Sequence, residues 1–296
     1  MKKPFLVAEI SSNHNADLGR AQDMIKMAAD VGFDAVKFQL FKIEELFSNE
    51  ILKSSKKHRL RKHWELNEKL IPELYELCLK NRISFSCTPF YLDAVKILDP
   101  FVDFYKIASY ELLWKDLFLK CSENGKPIVF STGMAIKSEI EDALRLLIDS
   151  NCDDITILHC NSAYPTPVKD VNLSSINTLK RMIEGISNPM KKRIMIGYSD
   201  HTVSPAVIYR AVHKYDSQFI EFHIDLDGDG EEFKAGHCWL PEQISRVISD
   251  VNNGFHADGN SELKPSKSEM NDRNWRADPY DGLRPLKPVR SKFSEE

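Results

Sequence analysis

The sequence predicts a (β/α)8 barrel on three grounds: the chain length, an alternation of strand-like and helix-like segments, and polar residues at the strand ends. The chain has 296 residues, 42% of them hydrophobic, which is typical of one large globular domain. Eight short runs are rich in β-branched and aromatic residues; they occupy 5–10, 35–39, 84–88, 104–108, 127–132, 155–160, 193–199 and 219–224. Eight is the number of strands in a closed barrel of this kind.

Helix-period stretches fill most of the intervals between these runs, as in residues 18–33, 64–81 and 138–151. Strands that alternate with helices predict parallel pairing through right-handed crossovers. A doubly wound open sheet is the alternative. That fold usually carries a glycine-rich phosphate loop after its first strand, and the segment SSNHNADLG (11–19) is not such a loop. The pattern therefore favours the barrel.

The barrel is expected to span residues 1–253, followed by an extended tail over residues 254–296. The tail holds four prolines, eight Lys/Arg and eight Asp/Glu, and it has no clear hydrophobic period. We expect it to pack partly on the barrel through Trp275, Tyr280 and Leu283, with the remainder mobile.

Composition and charge exclude several classes of protein. No run of 18 apolar residues is present, so no transmembrane helix is expected, and the first apolar run ends at Glu9 without a cleavage site. A net charge of −4 gives no footprint for nucleic acid. Six cysteines without CxxC spacing are typical of buried thiols in a reducing compartment. We expect a soluble, cytoplasmic enzyme that binds neither nucleic acid nor membrane.

Nearly every predicted strand ends in polar residues, at the end of a barrel where the βα loops form active sites. Alternate residues of a strand share a face, so Lys37 points with Gln39, and Glu221 with His223. Burying such groups is costly without partners or a ligand, and together they predict a catalytic site. Isolated, satisfied core residues are the alternative for any single strand. The strand-end set is Glu9, Lys37, Gln39, Thr88, Lys106, Ser109, Glu111, Ser131, Thr132, His159, Asn161, Ser162, Tyr164, Ser199, Asp200, His201, Glu221, His223 and Asp225.

Two histidines of this set are candidate metal ligands. His201 and His223 end neighbouring strands, and imidazole binds divalent ions such as Mn²⁺, Zn²⁺ or Fe²⁺. A purely structural pair is the alternative. His14, His159 and His237 are weaker candidates for the same role.

Two lysines are candidate anion ligands. Lys37 and Lys106 project from different strands toward one mouth, and two ammonium groups with several hydroxyl donors suit a small phosphate and carboxylate ligand. Pairing of these lysines with nearby glutamates is the alternative. The segment 53–63 adds six Lys/Arg, which either steer an anionic substrate or form a solvated loop. The hydroxyls are those of Thr88, Ser109, Ser131 and Ser199, and the glutamates are Glu9, Glu111 and Glu221.

Seven strand-end motifs occur in a specific order along the chain. They are AEISSNHN (8–15), DAVKFQ (34–39), FSCTPF (85–90), YKIASYE (105–111), GKPIVFSTGM (125–134), LHCNSAYPTP (158–167) and YSDHT (198–202). From about Val7 to His223, they resemble the N-acetylneuraminate (sialic acid) synthase family. The resemblance implies a barrel enzyme that condenses phosphoenolpyruvate with an N-acyl hexosamine-type aldehyde, giving a nine-carbon 2-keto-3-deoxy acid and phosphate.

The resemblance also implies roles for individual residues, a divalent metal (Mn²⁺ or Mg²⁺) on His201 and His223, and a homodimer. Glu111 is the first choice for proton transfer and Glu9 the second, while Lys106 with Lys37 would offset developing charge. The implied phosphoenolpyruvate ligands are Lys37, Thr88, Lys106, Ser109, Ser131, Ser162 and Ser199. The implied sugar-side residues are Glu9, Gln39, Glu111 and Tyr164.

The sequence departs from the family pattern in two places, both on the sugar side. Family members usually carry a C-terminal antifreeze-like domain that supplies an arginine to the acyl group across a dimer. We expect this chain to lack that domain, so that Arg276 or Arg284 substitutes or the segment is a surface tail. A Gly-Pro-Asp turn of the family is replaced by DLDGDGEEFKAGHCWLP (225–241). The residues that could take its place are Asp225, Asp227, Glu231 and His237.

Three other functions remain open from the sequence alone. The nearest is a phosphoenolpyruvate-dependent synthase acting on a sugar phosphate, with residues 53–63 as a second phosphate site. The others are a metal-dependent isomerase or hydrolase, and a non-catalytic ligand-binding barrel. Within the preferred function, the acceptor is N-acetylmannosamine or a 2,4-diacetamido trideoxyhexose.

Overall fold

The computed structural model describes residues 2–293 and shows eight parallel strands that close into a barrel in sequence order. Each strand begins and ends within one residue of its predicted run, and the predicted (β/α)8 barrel is confirmed. The strands are β1 (Phe5–Glu9), β2 (Ala35–Leu40), β3 (Ser84–Pro89), β4 (Phe104–Ile107), β5 (Ile128–Ser131), β6 (Asp154–Cys160), β7 (Arg193–Asp200) and β8 (Phe219–His223).

Helices occupy the intervals between the strands and follow β8. They are α1 (Leu18–Val31), α2 (Ile43–Leu46), α3 (Asn49–Ser54), α4 (Lys56–Leu60), α5 (Ile71–Asn81), α6 (Leu92–Leu98), α7 (Lys115–Ser122), α8 (Lys137–Ile148), α9 (Ser175–Gly185), α10 (Pro205–Tyr209), α11 (Pro241–Ala257), α12 (Met270–Arg273) and α13 (Lys287–Arg290). The helix predicted over 64–81 begins only at Ile71, because Pro72 lacks an N–H and is tolerated in the first turn.

The lower part of the barrel interior is an aromatic layer. Phe5, Phe104 and Phe219 pack with ring centroids 5.4–6.1 Å apart, and Val7 and Ala35 extend the same cluster. Since alternate strand residues share a face, the next inward positions toward the carboxyl ends are polar or charged. The apolar layer therefore supports a charged layer above it.

Gly197 makes room for this aromatic layer on β7. A Cβ added at this position would collide with the carbonyl oxygen of Phe219 and lie 2.7 Å from Leu158 Cδ2. Both obstacles belong to packed interior elements, so neither can move without disturbing the barrel.

The chain divides into two compact units, one ending at Gly254 and the other beginning at Phe255. In the second unit, the Arg290 guanidinium donates to both carboxylate oxygens of Asp281 at 2.6 and 2.8 Å, and Asp278 Oδ2 accepts from Lys287 N at 2.8 Å. Packing of residues 254–296 on the barrel stays a prediction.

Two predictions from composition can be compared with the structure. All six cysteines are free and buried, as expected for buried thiols. None of the helices described within residues 2–293 has the length and apolarity that a membrane span requires.

We predict that Gly197→Ala lowers the free energy of unfolding by about 1–3 kcal/mol, because the added methyl group overpacks the interior. Gly185→Ala in α9 is the matched control, since a Cβ there meets nothing within 4 Å, and this variant should be neutral or slightly stabilising. Urea denaturation monitored by circular dichroism measures both. Equal stability of the two variants would contradict the assigned packing.

Candidate active site

Lys37 is the centre of a buried ion network at the carboxyl ends of the strands. Its ammonium group forms an ion pair with Glu9, lies 3.7 Å from Glu221 Oε2 and donates to Thr88 Oγ1 at 3.1 Å. These four side chains are buried. The Gln39 amide donates to Glu9 Oε1 at 2.8 Å. The lysine–glutamate pairing that the sequence left open is therefore present.

Lys106 approaches the same carboxylate from β4. Its Nζ lies 3.9 Å from Glu221 Oε1, and Ser199 Oγ donates to that oxygen at 2.9 Å. Burial opposes ionisation of Glu221, but Lys106 and Lys37 outweigh it and lower its pKa to about 2. Burial lowers the pKa of Lys106, with repulsion from Lys37 acting in the same direction. Glu221 thus favours the charged form of both buried lysines.

Glu9 controls the net charge of this network. Burial raises its pKa to about 7, against the attraction of Lys37 and with added repulsion from Glu221. Near neutral pH the carboxyls of this network therefore carry fewer than two full negative charges. A buried site that combines two lysines with partly neutralised carboxyls suits a small anion.

Serine hydroxyls and a glycine form a cradle at the adjoining ends of β4, β5 and β6. Ser109 Oγ accepts a hydrogen bond from Gly133 N at 3.0 Å. A Cβ at Gly133 would collide with Ser162 Oγ and lie 2.8 Å from Ser109 Oγ, so a glycine is needed to keep this space open. Within the described residues, the buried Oγ atoms of Ser131 and Ser162 have no hydrogen-bond partner. Such hydroxyls near ammonium groups suit phosphate or carboxylate oxygens.

A cavity of about 680 Å³ opens at the same end of the barrel, and Gln39, Glu111, Tyr164 and His223 all line it. Glu111 is only 9% exposed. Burial raises its pKa to about 7, against the attraction of Lys106. A carboxyl group that titrates near neutral pH can both accept and donate a proton.

Three buried histidine rings meet beside Tyr164 in this region. The ring centroids of His223 and His237 are 4.8 Å apart, those of His201 and His223 4.9 Å, and those of His201 and His237 6.1 Å. The Tyr164 centroid lies 4.2 Å from that of His201. The structure thus brings together the two histidines predicted as metal ligands and adds His237, which sequence reasoning ranked lower.

Glu232 places a carboxylate against two of these histidines. Its Oε2 lies 3.1 Å from His223 Nδ1 and 3.5 Å from His237 Nε2, and Ser11 Oγ donates to its Oε1. Burial opposes ionisation of Glu232, but the two histidines lower its pKa well below the ordinary value. Ligand atoms of His223, Glu232, His237 and Cys238 all lie within 4.8 Å of one another.

The loop after β1 fixes the loop that carries Glu232. Asn13 Oδ1 accepts from Glu232 N at 2.8 Å, Arg20 Nη2 donates to Asp225 Oδ1 at 2.7 Å, and Arg20 Nη1 donates to Asp227 Oδ2 at 2.8 Å. A Cβ at Gly230 would collide with the side chains of Asn13 and Asp225, so the two loops are in close contact. We call the contacts of Asn13 and Arg20 with residues 225–232 the clamp. The clamp determines which side chains of residues 225–232 face the cavity.

The clamp separates the four residues predicted to replace the Gly-Pro-Asp turn. Asp225 and Asp227 are bound by Arg20 and are not among the cavity-lining residues, whereas Glu231 and His237 line the cavity. Sequence reasoning missed Glu232. The available signal was the pair of adjacent glutamates, of which only Glu231 was singled out.

The donor set fits a divalent cation. Within the described residues, Nδ1 of the buried His237 has no hydrogen-bond partner and its Nε2 has only the long 3.5 Å contact to Glu232, which is costly unless a ligand binds there. Burial lowers the pKa of His223 to about 3, with His237 and His201 adding to the effect, so its imidazole is neutral. Imidazole nitrogens and an ionised carboxylate are suitable ligands for Mn²⁺, Zn²⁺ or Fe²⁺.

His201 differs from His223 in its protonation as a candidate metal ligand. Its Nδ1 donates to Asn161 O at 2.7 Å and lies 3.8 Å from Cys160 Sγ. Burial favours the neutral ring, but Cys160 and the Asn161 carbonyl raise its pKa to about 9. A cation at Nε2 of His201 must therefore displace a proton, whereas His223 is already neutral.

Two further histidines named from the sequence support the backbone instead. His159 Nε2 donates to Val171 O at 2.7 Å, and this ring lines a separate cavity of about 460 Å³. His14 Nδ1 accepts from Ala16 N at 2.9 Å, and burial lowers the pKa of its ring to about 4.

A barrel with buried lysines, hydroxyls and clustered histidines at its carboxyl end defines the class of barrel enzymes that act on small anionic substrates. Comparison with known proteins narrows this class. The sequence profile of the NeuB family matches residues 24–263, and the chain belongs to this family. Several relatives are named synthases, and the chain is accordingly an enzyme of the phosphoenolpyruvate-dependent condensing class. The resemblance noted from the strand-end motifs is confirmed.

Three similar proteins illustrate the match. The N,N'-diacetyllegionaminic acid synthase of Campylobacter jejuni is 33% identical over 93% of this chain and 83% of its own length. The human N-acetylneuraminate-9-phosphate synthase is 28% identical over 83% of this chain and 69% of its own length. The crystal structure of an N-acetylneuraminic acid synthetase from Leptospira borgpetersenii in complex with citrate is 30% identical, with a TM-score of 0.76 over 92% of this chain and 90% of that one.

We predict that Glu111→Gln stabilises the protein more at pH 8 than at pH 5. The folded protein keeps the Glu111 proton up to about pH 7, whereas an ordinary carboxyl releases it near 4.5. The folded state therefore binds more protons between these values, and its stability falls as the pH rises through them. The variant avoids this loss, which amounts to at most about 3 kcal/mol.

Denaturant unfolding at pH 5 and pH 8 tests this prediction. Glu76→Gln, at an exposed position of α5, is the control and should change stability little at either pH. A difference between Glu111→Gln and the unmodified protein that stays constant with pH would show that Glu111 does not titrate near neutrality.

Proposed function

We propose that the protein condenses phosphoenolpyruvate with an N-acyl hexosamine-type aldehyde, giving a nine-carbon 2-keto-3-deoxy sugar acid and phosphate. The observation that carries this proposal is the pair of buried ammonium groups beside unpaired serine hydroxyls. This anion site opens at the same end of the barrel as the cluster of histidines and Glu232. The names of the relatives differ in the sugar acid they make, so the acceptor is proposed only as a class.

Phosphoenolpyruvate is proposed to bind on the floor of the site, which is the buried layer that contains Lys37, Lys106 and Glu221. Lys37 and Lys106 would offset its charge, and burial increases the strength of these interactions because water is excluded. When the anion arrives, Glu221 remains ionised between the two lysines and keeps them in place. The hydroxyl groups proposed to complete this site are those of Thr88, Ser109, Ser131, Ser162 and Ser199.

A divalent cation, with Mn²⁺ or Mg²⁺ proposed, would be held by His223, His237 and Glu232, with His201 beside them. Such an ion supplies Lewis acidity toward the carbonyl oxygen of the aldehyde. Glu232 would also keep the His223 ring oriented, and the Asn161 carbonyl does the same for His201. Cys238 is less suited, because burial strongly raises the pKa of its thiol.

The acid and base steps are assigned to the two carboxyl groups that titrate near neutral pH. C3 of phosphoenolpyruvate attacks the aldehyde carbon, water adds at C2, and phosphate leaves by cleavage of its C–O bond. Glu111 lines the cavity and is proposed to transfer protons at these centres. Glu9 is the second candidate for proton transfer, while Gln39 and Tyr164 would lie along the sugar.

The location of the protein in the cytoplasm and its assembly into a homodimer stay predictions.

The metal assignment predicts that Glu232→Gln and His237→Gln each weaken Mn²⁺ binding by at least about 10-fold, because each removes a ligand or a group that orients one. Isothermal titration calorimetry of the metal-free protein with Mn²⁺ measures this without turnover. His256→Gln, at an exposed position of α11, is the control. Unchanged affinity of His237→Gln, with affinity lost in His201→Gln and His223→Gln, would restrict the site to the two histidines of the sequence prediction.

The reaction assignment predicts that Lys106→Met reduces phosphate release from phosphoenolpyruvate by at least about 100-fold, because a buried cation at the developing charge is lost. The assay uses Mn²⁺-loaded protein with N-acyl hexosamines and with pentose or tetrose phosphates. Lys192→Met is the control, since this lysine is also buried but donates to the carbonyls of Ser150 and Cys152.

The acceptor panel separates the alternatives. Release only with an N-acyl hexosamine supports the proposal, and release only with a sugar phosphate would move the protein to the other group of phosphoenolpyruvate-dependent synthases. Binding of phosphoenolpyruvate without release from any acceptor would favour a non-catalytic barrel.

A further inference from the structure

The outer wall of the active-site cavity is formed largely by the segment between β2 and α5. Phe41, Leu46, Phe47, Trp64 and, from the loop after β3, Phe90 line the cavity on this side. The wall is therefore mainly apolar and aromatic. A sugar that carries only polar groups would make no apolar contact with this wall.

Arg61 is the charged exception in this wall. Its guanidinium carbon lies 5.7 Å from the centroid of the Phe47 ring and 5.3 Å from that of Trp64, so cation–π contacts hold the group in place. Within residues 2–293 its buried Nε has no hydrogen-bond partner, and the residue lines the cavity. A planar donor group that lines a cavity without an acceptor is prepared for one supplied by a ligand.

The neighbouring basic side chains already have partners. Lys62 forms an ion pair with Glu44, Lys42 Nζ lies 3.1 Å from Glu68 Oε2, and Arg59 donates to backbone carbonyls. His58 also lines the cavity, but its Nδ1 is 2.7 Å from Ser55 Oγ. Of the basic segment 53–63, Arg61 therefore offers the unpartnered cation at the cavity wall, as far as the described residues show.

The charges of the cavity disfavour a phosphorylated acceptor. Glu111, Glu231 and Glu232 line the cavity together with this one guanidinium. Apart from the proposed metal ligands, the lining offers a phosphate dianion one guanidinium and the two carboxyl groups of Glu111 and Glu231. A neutral group with one carbonyl oxygen and one methyl group matches a single guanidinium between aromatic rings.

We infer that Arg61 determines acceptor specificity by donating to the carbonyl oxygen of the acceptor's N-acyl group, while the acyl methyl packs against Phe47 and Trp64. This inference rests on the proposed function, since it names how that same site recognises its second substrate. A hydrogen bond from a charged donor in a partly dry cavity accounts for the selectivity, because removal of either partner leaves a polar group unpaired.

The test compares Arg61→Met and Arg61→Lys with the unmodified, Mn²⁺-loaded protein in the phosphate-release assay. The acceptor is the N-acyl hexosamine of the panel that gives the highest activity. It is compared with the hexose that carries a hydroxyl group in place of the acylamino group. Arg61→Met should lower kcat/KM for the N-acyl sugar by about 10- to 100-fold, and the preference over the hexose by the same factor. Arg61→Lys keeps the charge but not the planar fork, and it should recover part of this loss.

Three controls distinguish a loss of acyl-group recognition from other effects of the Arg61 variants. The KM for phosphoenolpyruvate should stay within about twofold, since that substrate binds on the floor of the site. Arg145→Met, at an exposed position of α8, removes the same charge and should leave the sugar preference unchanged. Calorimetric binding of the N-acyl sugar without phosphoenolpyruvate gives the same comparison without turnover, and Arg61→Lys carries the test if Arg61→Met does not fold.

Each other outcome overturns the inference in a recognisable way. An unchanged sugar preference in both Arg61 variants would assign Arg61 to loop packing alone. A loss confined to phosphorylated acceptors would make it a phosphate ligand. If the unmodified protein turns over no N-acyl hexosamine, the proposed function itself fails, and this result is visible before any variant is made.

Discussion

The buried carboxylate of Glu221 is the interaction on which the rest of the site depends. It lies between Lys37 and Lys106, and two ammonium groups could not be buried this close together without it. Ser199 holds the carboxylate in place from β7, and the aromatic layer below excludes water. The network is therefore both a structural element of the barrel and a binding site whose charge, adjusted by the titration of Glu9, favours an anion.

A second constraint joins the loops at the ends of the first and last strands. Arg20 and Asn13 hold residues 225–232 in one conformation, and this conformation places Glu232 against the histidines. Across the site, Asp200 accepts hydrogen bonds from Tyr198 and from Trp239 Nε1, which links the end of β7 to the segment that carries His237. The cluster of histidines is therefore assembled by contacts outside it, and few of its members would stay in place without them.

These two constraints divide the site into parts with different freedom to vary. The floor lies on strands, where any change of volume or charge disturbs the barrel interior. The cavity wall between β2 and α5 lies on short helices outside the barrel, and it can change with little effect on the fold. The relatives are named as synthases of different sugar acids, which is the pattern expected when chemistry is fixed on strands and acceptor choice on loops.

The strands and the inward face of each can be predicted from the amino-acid sequence. The two-residue period of a strand puts Lys37, Lys106, Glu221 and His223 inside any barrel built from these runs. The sequence also indicates the family through the motifs at the strand ends. Three features of the site became visible in the folded structure alone: Glu232 rather than Asp225 faces the histidines, Gly133 opens the serine cradle, and Arg61 Nε has no hydrogen-bond partner among the described residues. Loops have no regular period from which the direction of a side chain could be predicted. The placement of their side chains depends on contacts between residues as far apart in the sequence as Asn13 and Glu232.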